Sequence, residues 1–161
     1  MVASRRASAL RREQLPSSLV PGPEQEGATA LLRTADLVRR EIERSLEPVG
    51  ITAQQYNVLR ILRGARPGSL PTLEIAERMI EQAPGITRLL DRLEARALVK
   101  RERSREDRRS VLCSITPAGL DLLRAADGPV RDAERRIVGR LRKPRLAQLV
   151  KLLGAVQGAS D

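Results

Sequence analysis

Between Thr72 and Thr116 the spacing of the apolar residues changes period once, and that change restricts what the stretch can build. Up to Ala97 the interval is three or four: Leu73, Ala76, Met79 and Ile80 in one short segment, then Ile86, Leu89, Leu90, Leu93 and Ala97 in the next. Such intervals place side chains on one face of a helix. From Val111 the interval drops to two, with Val111, Cys113 and Ile115 alternating as in a strand that has one covered face. The spacing predicts a short helix from about Thr72 to Met79 with Leu73, Ala76, Met79 and Ile80 inward, and a longer helix opened by Pro84 at its first position. It then predicts strands over Val99 to Ser104 and Ser110 to Thr116, joined by a charged turn. Helix, short link, amphipathic helix with basic residues outward, then hairpin: this is helix-turn-helix spacing with a wing.

Helical intervals continue on both sides. From Ala28 to Leu46 one face carries Leu31, Ala35, Val38, Ile42 and Leu46, widened at its start by Leu32. Thr52 caps another helix, in which Tyr56, Val58, Leu59 and Leu62 fall on the buried side, and "RGARPGS" breaks it. After the hairpin, Thr116 is the N-cap and Pro117 the first position of a long helix. Leu120, Leu123, Ala126, Val130, Ala133, Ile137 and Leu141 keep its apolar face to about Arg142, and Pro144 opens a last helix with Leu146, Leu149, Val150, Leu153 and Val156 on one side. The stripes at the two ends exceed what a small lobe can cover, which predicts a homodimer held by Leu31, Val38, Ile42, Ile137, Leu146, Leu149 and Leu153. The fold class is mostly α with a small β-hairpin wing. A dimerisation helix (27–47), a winged helix-turn-helix lobe (51–116) and C-terminal dimerisation helices (117–158) follow one another along the chain.

Composition names the partner. A net charge of +10 and a pI near 11.3 call for a polyanion, either nucleic acid or an anionic membrane surface. No apolar run approaches the roughly 18 residues of a membrane span, and the leucines suit a protein core rather than lipid. Tyr56 is the only aromatic residue, so the stacking platforms of single-strand binders are missing and duplex DNA is favoured over RNA. Of the 30 basic residues all but Lys100, Lys143 and Lys151 are arginine. Cys113 is the sole cysteine and histidine is absent, which excludes intrachain disulfides, zinc sites and His-based triads. Only carboxylates and arginines remain, with no spacing that assembles a catalytic set, so no enzyme activity, metal or cofactor is expected. Residues 1–26 read as a basic arm without regular structure, either a frayed tail or a DNA-contacting arm. The arm has no apolar h-region; its Arg- and Ser-rich make-up also fits a mitochondrial transit peptide, and a cytoplasmic protein is the default expectation.

Opposite the apolar stripe of the helix opened by Pro84 lie Pro84, Gly85, Arg88, Asp91, Arg92 and Ala95. A major groove admits one helix, and the planar guanidinium bonds two acceptors on guanine at once, so Arg88 and Arg92 suit base readout, with Thr87 beside them. The competing reading makes these arginines solvated surface charges satisfied by Asp91 or Glu94. Gly85 in the first turn either lets backbone N–H groups approach a phosphate or marks a frayed start. Between Arg96 and Arg109 stand seven basic and three acidic residues. A hairpin so charged is either a loop kept for solubility or one that reaches phosphates and the minor groove through Arg103, Arg105, Arg108 and Arg109, with Asp107 holding Arg109 extended; the basic excess and its placement favour the second. Cys113 is read as a small buried hydrophobe, against a thiol activated by the wing arginines. Two kinds of duplex binder remain: a sequence-specific regulator, or an architectural protein indifferent to sequence.

The segment "TLEIAERMIEQAPGITRLLDRLEARALVKRERSREDRRSVLCSITPAG" resembles the DNA-binding lobe of the MarR (multiple antibiotic resistance regulator) family. Asp107, Arg109, Ile115, Thr116 and Gly119 match its pattern in order, and the similarity runs over about Ile51 to Leu123. The resemblance implies an obligate dimer of winged helix-turn-helix lobes on a pseudo-palindromic operator, usually repressing transcription. It implies that the helix after Pro84 enters the major groove, that Arg109 enters the minor groove, and that Asp107 orients Arg109. Many members release DNA when a small phenolic or lipophilic acid binds between dimer and DNA lobes, or when a cysteine near the amino terminus is oxidised; Cys113, in the wing, does not match that cysteine. Two positions depart from the pattern. Ala97 replaces the usual glycine after "EAR", so a left-handed C-cap there costs roughly 1 kcal/mol or the helix ends differently. Gln82 and Ala83 stand where a Ser or Thr cap is usual, which weakens the expected phosphate contacts at the helix start.

Overall fold

A computed structural model describes residues 22–80, 85–104 and 110–158, and divides the chain into one unit ending at Leu37 and another starting at Val38. Helix α1 (Pro23–Leu46) begins five residues before the expected Ala28. Pro23 needs no N–H in a first turn, Glu24 and Glu26 complement the positive helix end, and Gly27 weakens a helix by only about 1 kcal/mol without ending it. The basic arm expected at 1–26 otherwise lies outside the described residues. In the first unit Leu31, Leu32 and Leu37 are exposed.

In the second unit the end of α1 enters a core: Ile42 leans on it and Leu46 is fully buried. A 3-10 turn (Glu47–Val49) leads to α2 (Ala53–Gly64). Thr52 caps α2 as expected, its Oγ1 accepting from the Gln55 N–H at 3.2 Å while Gln55 Oε1 accepts from the Thr52 N–H at 3.0 Å. Tyr56, Val58, Leu59 and Leu62 face the core.

Strand β1 (Leu70–Pro71) and helix α3 (Thr72–Glu77) follow. Here the expected face is corrected. Leu73 is 71% exposed and Ile80 82% exposed, whereas Ile75 is completely buried. The helix ends after six residues, too short for its stripe to carry on to Ile80, and Ile75 is the position that joins the core. Met79 does pack against the core.

Helix α4 (Ile86–Ala95) buries Leu89, Leu90 and Leu93. Strands β2 (Val99–Arg103) and β3 (Val111–Ile115) pair antiparallel from Val99 opposite Ile115 to Arg103 opposite Val111. The sheet has the order β1-β3-β2, with Leu70 opposite Cys113. Cys113 is fully buried beneath it, and burial pushes its thiol above the ordinary value, although Thr72, 3.7 Å away, acts in the other direction.

Helix α5 (Pro117–Val138) starts at the predicted cap, where Thr116 Oγ1 accepts from the Gly119 N–H at 3.0 Å. It stops at Val138, short of the expected Arg142, with Gly139 as its C-cap. Leu123, Ala126, Val130 and Ala133 are its buried face. Helix α6 (Lys143–Val156) contributes no buried residue.

Candidate nucleic-acid interface

The start of α4 is set by Gly85, which is the N-cap rather than a first-turn residue as the sequence suggested. Its φ of 103° lies where a side chain is strained, so glycine is required for the backbone turn into the helix. With Leu89, Leu90 and Leu93 held inside, Thr87, Arg88, Asp91 and Arg92 are turned outward together. Pro84, Arg105, Asp107, Arg108 and Arg109 lie outside the described residues.

Asp91 and Glu94 are not available to the helix arginines. Both are taken by Arg101 of β2, whose Nη2 lies 2.6 Å from Asp91 Oδ1 and 2.5 Å from Glu94 Oε2, with Nε adding a second bond to Glu94 Oε2 at 2.8 Å. Among the described residues neither Arg88 nor Arg92 has an ion-pair or hydrogen-bond partner, which corrects the reading in which Asp91 or Glu94 would satisfy them.

The basic count of the hairpin also divides. Arg96 donates to the Gly50 carbonyl at 2.5 Å and to the Val49 carbonyl at 3.4 Å, so it ties the end of α4 to the turn before α2. Lys100 pairs with Glu102 at 2.5 Å. Arg103, on the last residue of β2, is exposed.

No pattern in the sequence singles out Arg101, or a polar cluster between α2 and α5. Tyr56 donates to Asp127 Oδ1 at 2.8 Å, Arg63 reaches Asp127 Oδ2 at 2.5 Å, and the Arg60 guanidinium stands 5.7 Å from the Tyr56 ring centre. Burial, and then the Asp127 carboxylate, push the Tyr56 phenol up to about 12. Burial alone would raise the Asp127 carboxyl, but the hydrogen bonds from Arg63 and Tyr56 outweigh it and hold the group below its ordinary value. The cluster joins α2 to α5 and so fixes the lobe on the long helix.

The residues expected at a dimer contact are uncovered or half-covered. Leu31 is exposed; Val38, Ile42, Ile137, Leu146, Leu149 and Leu153 are half-buried. Val150, Leu152 and Val156 on α6 are more exposed than the leucines singled out from the sequence.

The chain is similar to known proteins over most of its length. A family model described as MarR family matches residues 51–111. The HTH-type transcriptional repressor Rv2887 of Mycobacterium tuberculosis is 29% identical over 123 residues, spanning 76% of this chain and 87% of that protein. Among solved structures, a MarR transcription factor from Planctomyces limnophilus is 40% identical, with 84% of this chain and 98% of that one aligned at a TM-score of 0.66. A cysteine-to-serine variant of MarR from E. coli, in complex with operator DNA, is 26% identical, with 80% and 91% aligned at a TM-score of 0.73.

Proposed function

The chain belongs to the MarR family, and from that premise we propose that it is a homodimeric repressor which reads a pseudo-palindromic operator and releases it when a small effector binds. Members of the family are regulators of transcription and not enzymes, and this chain is a DNA-binding regulator. The finer reading is carried by one observation: Arg88 and Arg92 stand side by side on the outward face of α4, with no partner among the described residues, while their neighbouring carboxylates are engaged elsewhere. Two unengaged guanidinium groups one helical turn apart are suited to the acceptor pairs of guanine in a major groove. Thr87 and the backbone at Gly85 complete that contact, while Arg103 with Arg105, Arg108 and Arg109 meets the flanking backbone and minor groove, Asp107 orienting Arg109.

Repression is supported by the repressor among the relatives, and operator binding by the E. coli MarR complex. A dimer is supported by the exposed and half-buried apolar residues of α1, α5 and α6, through Leu31, Val38, Ile42, Ile137, Leu146, Leu149 and Leu153, and would set the two α4 helices on half-sites about 10 base pairs apart. An effector would have available an open cleft of about 310 Å³ lined by Arg63, Arg66, Leu120 and Arg124, where guanidinium charge favours an acid. A cytoplasmic location is supported by the DNA-binding regulators among the relatives; among the described residues no helix is long and apolar enough to cross a membrane. Selection of binding sites from a randomised duplex pool tests this. A motif with two-fold symmetry supports a sequence-reading dimer; enrichment of no motif would make the chain an architectural protein that binds any duplex.

A further inference from the structure

We infer that Arg101 is a positioning residue that acts as the internal counter-ion of α4, holding Asp91 and Glu94 against the wing so that Arg88 and Arg92 are left free for DNA. The inference rests on the reading of α4 as the base-contacting helix.

Asp91 follows Arg88 by three residues and adjoins Arg92, and i,i+3 neighbours on a helix surface meet readily. Without another cation in reach, Asp91 would draw the Arg88 guanidinium back along the helix. Two unneutralised carboxylates would also stand where phosphates must approach. The wing supplies the cation from outside the helix. Arg101 is the third residue of β2, and the register of the hairpin, with Arg101 opposite Cys113, fixes its position. Its partner across the sheet is completely buried, so the strand cannot shift without disturbing the core.

The Arg101 side chain is only 23% exposed, against 51% for that of Asp91 and 38% for that of Glu94. It is enclosed by what it binds, unlike Arg88, Arg92 and Arg103, which are exposed. An arginine with Nε and Nη2 on one carboxylate oxygen and Nη2 shared with a second carboxylate is oriented by the protein rather than offered to a ligand. One residue therefore ties wing to helix and engages both of the helix's acids, offsetting one of their two negative charges.

A double-mutant cycle on the full chain tests this. The proteins are wild type, Arg101→Gln, Asp91→Asn with Glu94→Gln, and all three changes together. Each is titrated against the duplex that wild type enriches most strongly from a randomised pool, and against unselected duplex. Arg101→Gln is expected to weaken binding to the enriched duplex by about tenfold. Removing both carboxylates should recover most of that loss in the Arg101→Gln background and change wild type less, because there Arg101 has already engaged both groups and offset one of their charges. Thermal midpoints should not follow the affinities.

An equal gain in both backgrounds would show a general charge effect and overturn the inference. So would an unrecovered loss, which would place Arg101 on the DNA itself, or affinities that track the thermal midpoints, which would make its role one of folding alone. If Arg101→Gln does not fold, Arg101→Lys serves in its place: it retains the charge and should bind closer to wild type than to a protein with α4 disabled by Arg88→Ala, and equal weakness of the two would count against the inference. If wild type binds both duplexes alike, the base-contacting role of α4 is lost, while the counter-ion effect is still read from loss and recovery on either duplex.

Discussion

The Thr116 hydroxyl donates to the Ala97 carbonyl at 2.7 Å and accepts from the Gly119 N–H at 3.0 Å, so one side chain joins the end of α4 to the start of α5. Around it the chain closes tightly. The Leu98 N–H bonds the Leu93 carbonyl at 3.0 Å and the Ala97 N–H bonds the Glu94 carbonyl at 2.8 Å, the paired bonds of a Schellman cap, and Ala97 takes a φ of 54°.

That cap has an alanine where the geometry suits glycine. Of the two outcomes the sequence allowed, the left-handed cap is the one adopted, with its strain. Ala97→Gly should raise stability by about 1 kcal/mol, read as a higher urea midpoint at unchanged slope, with DNA affinity unaltered.

Gly119 is required for a different reason. A Cβ there would overlap the Leu98 carbonyl oxygen and come within 2.8 Å of Ile115 Cγ1. Gly119→Ala should destabilise by about 1–3 kcal/mol, and calorimetry should show the lowered melting point.

Tyr56 is the only aromatic residue, so phenolate absorbance reports one group. Alkaline titration should give a pKa of about 12 in the folded chain. Because the folded value is raised, the associated stability is complete below the unfolded value of about 10 and is lost as pH climbs through the folded one. Tyr56→Phe should remove that alkaline loss and cost about 1 kcal/mol at neutral pH.

Asp127 has the opposite sign. Its carboxyl is held below the ordinary value, so its contribution is present above an unfolded pKa of about 3.9 and is lost as pH falls through the folded one. Acid unfolding of Asp127→Asn, followed by circular dichroism, should be less steep in that window than that of wild type.

The parts legible in the sequence are those with enough repeats to define a face. In α4 the positions Leu89, Leu90 and Leu93 fix which side is out, and in β3 the alternation about Cys113 fixes which side is covered. A helix of six residues has too few, which is why the spacing points Leu73 and Ile80 inward while Ile75 holds the core position. Strand β1 has two residues, Leu70 and Pro71, and no period at all. Tyr56 and Asp127 are 71 positions apart, and only the packing of α2 on α5 brings them together. Arg101 is ten positions from Asp91, but its reach depends on the turn at Ala97 and on the strand register, neither of which leaves a pattern in the sequence.

Arg103 and Arg88 separate positioning from reading. Arg103→Ala should weaken enriched and unselected duplexes alike and lower the salt slope by about 1, as loss of a phosphate contact does. Site selection repeated with Arg88→Ala is decisive for base reading by α4. Wild type should enrich a two-fold symmetric motif, and the variant should lose preference at one pair of symmetry-related positions while binding about 1–3 kcal/mol more weakly. An unchanged motif with Arg88 removed would show that α4 does not read the bases.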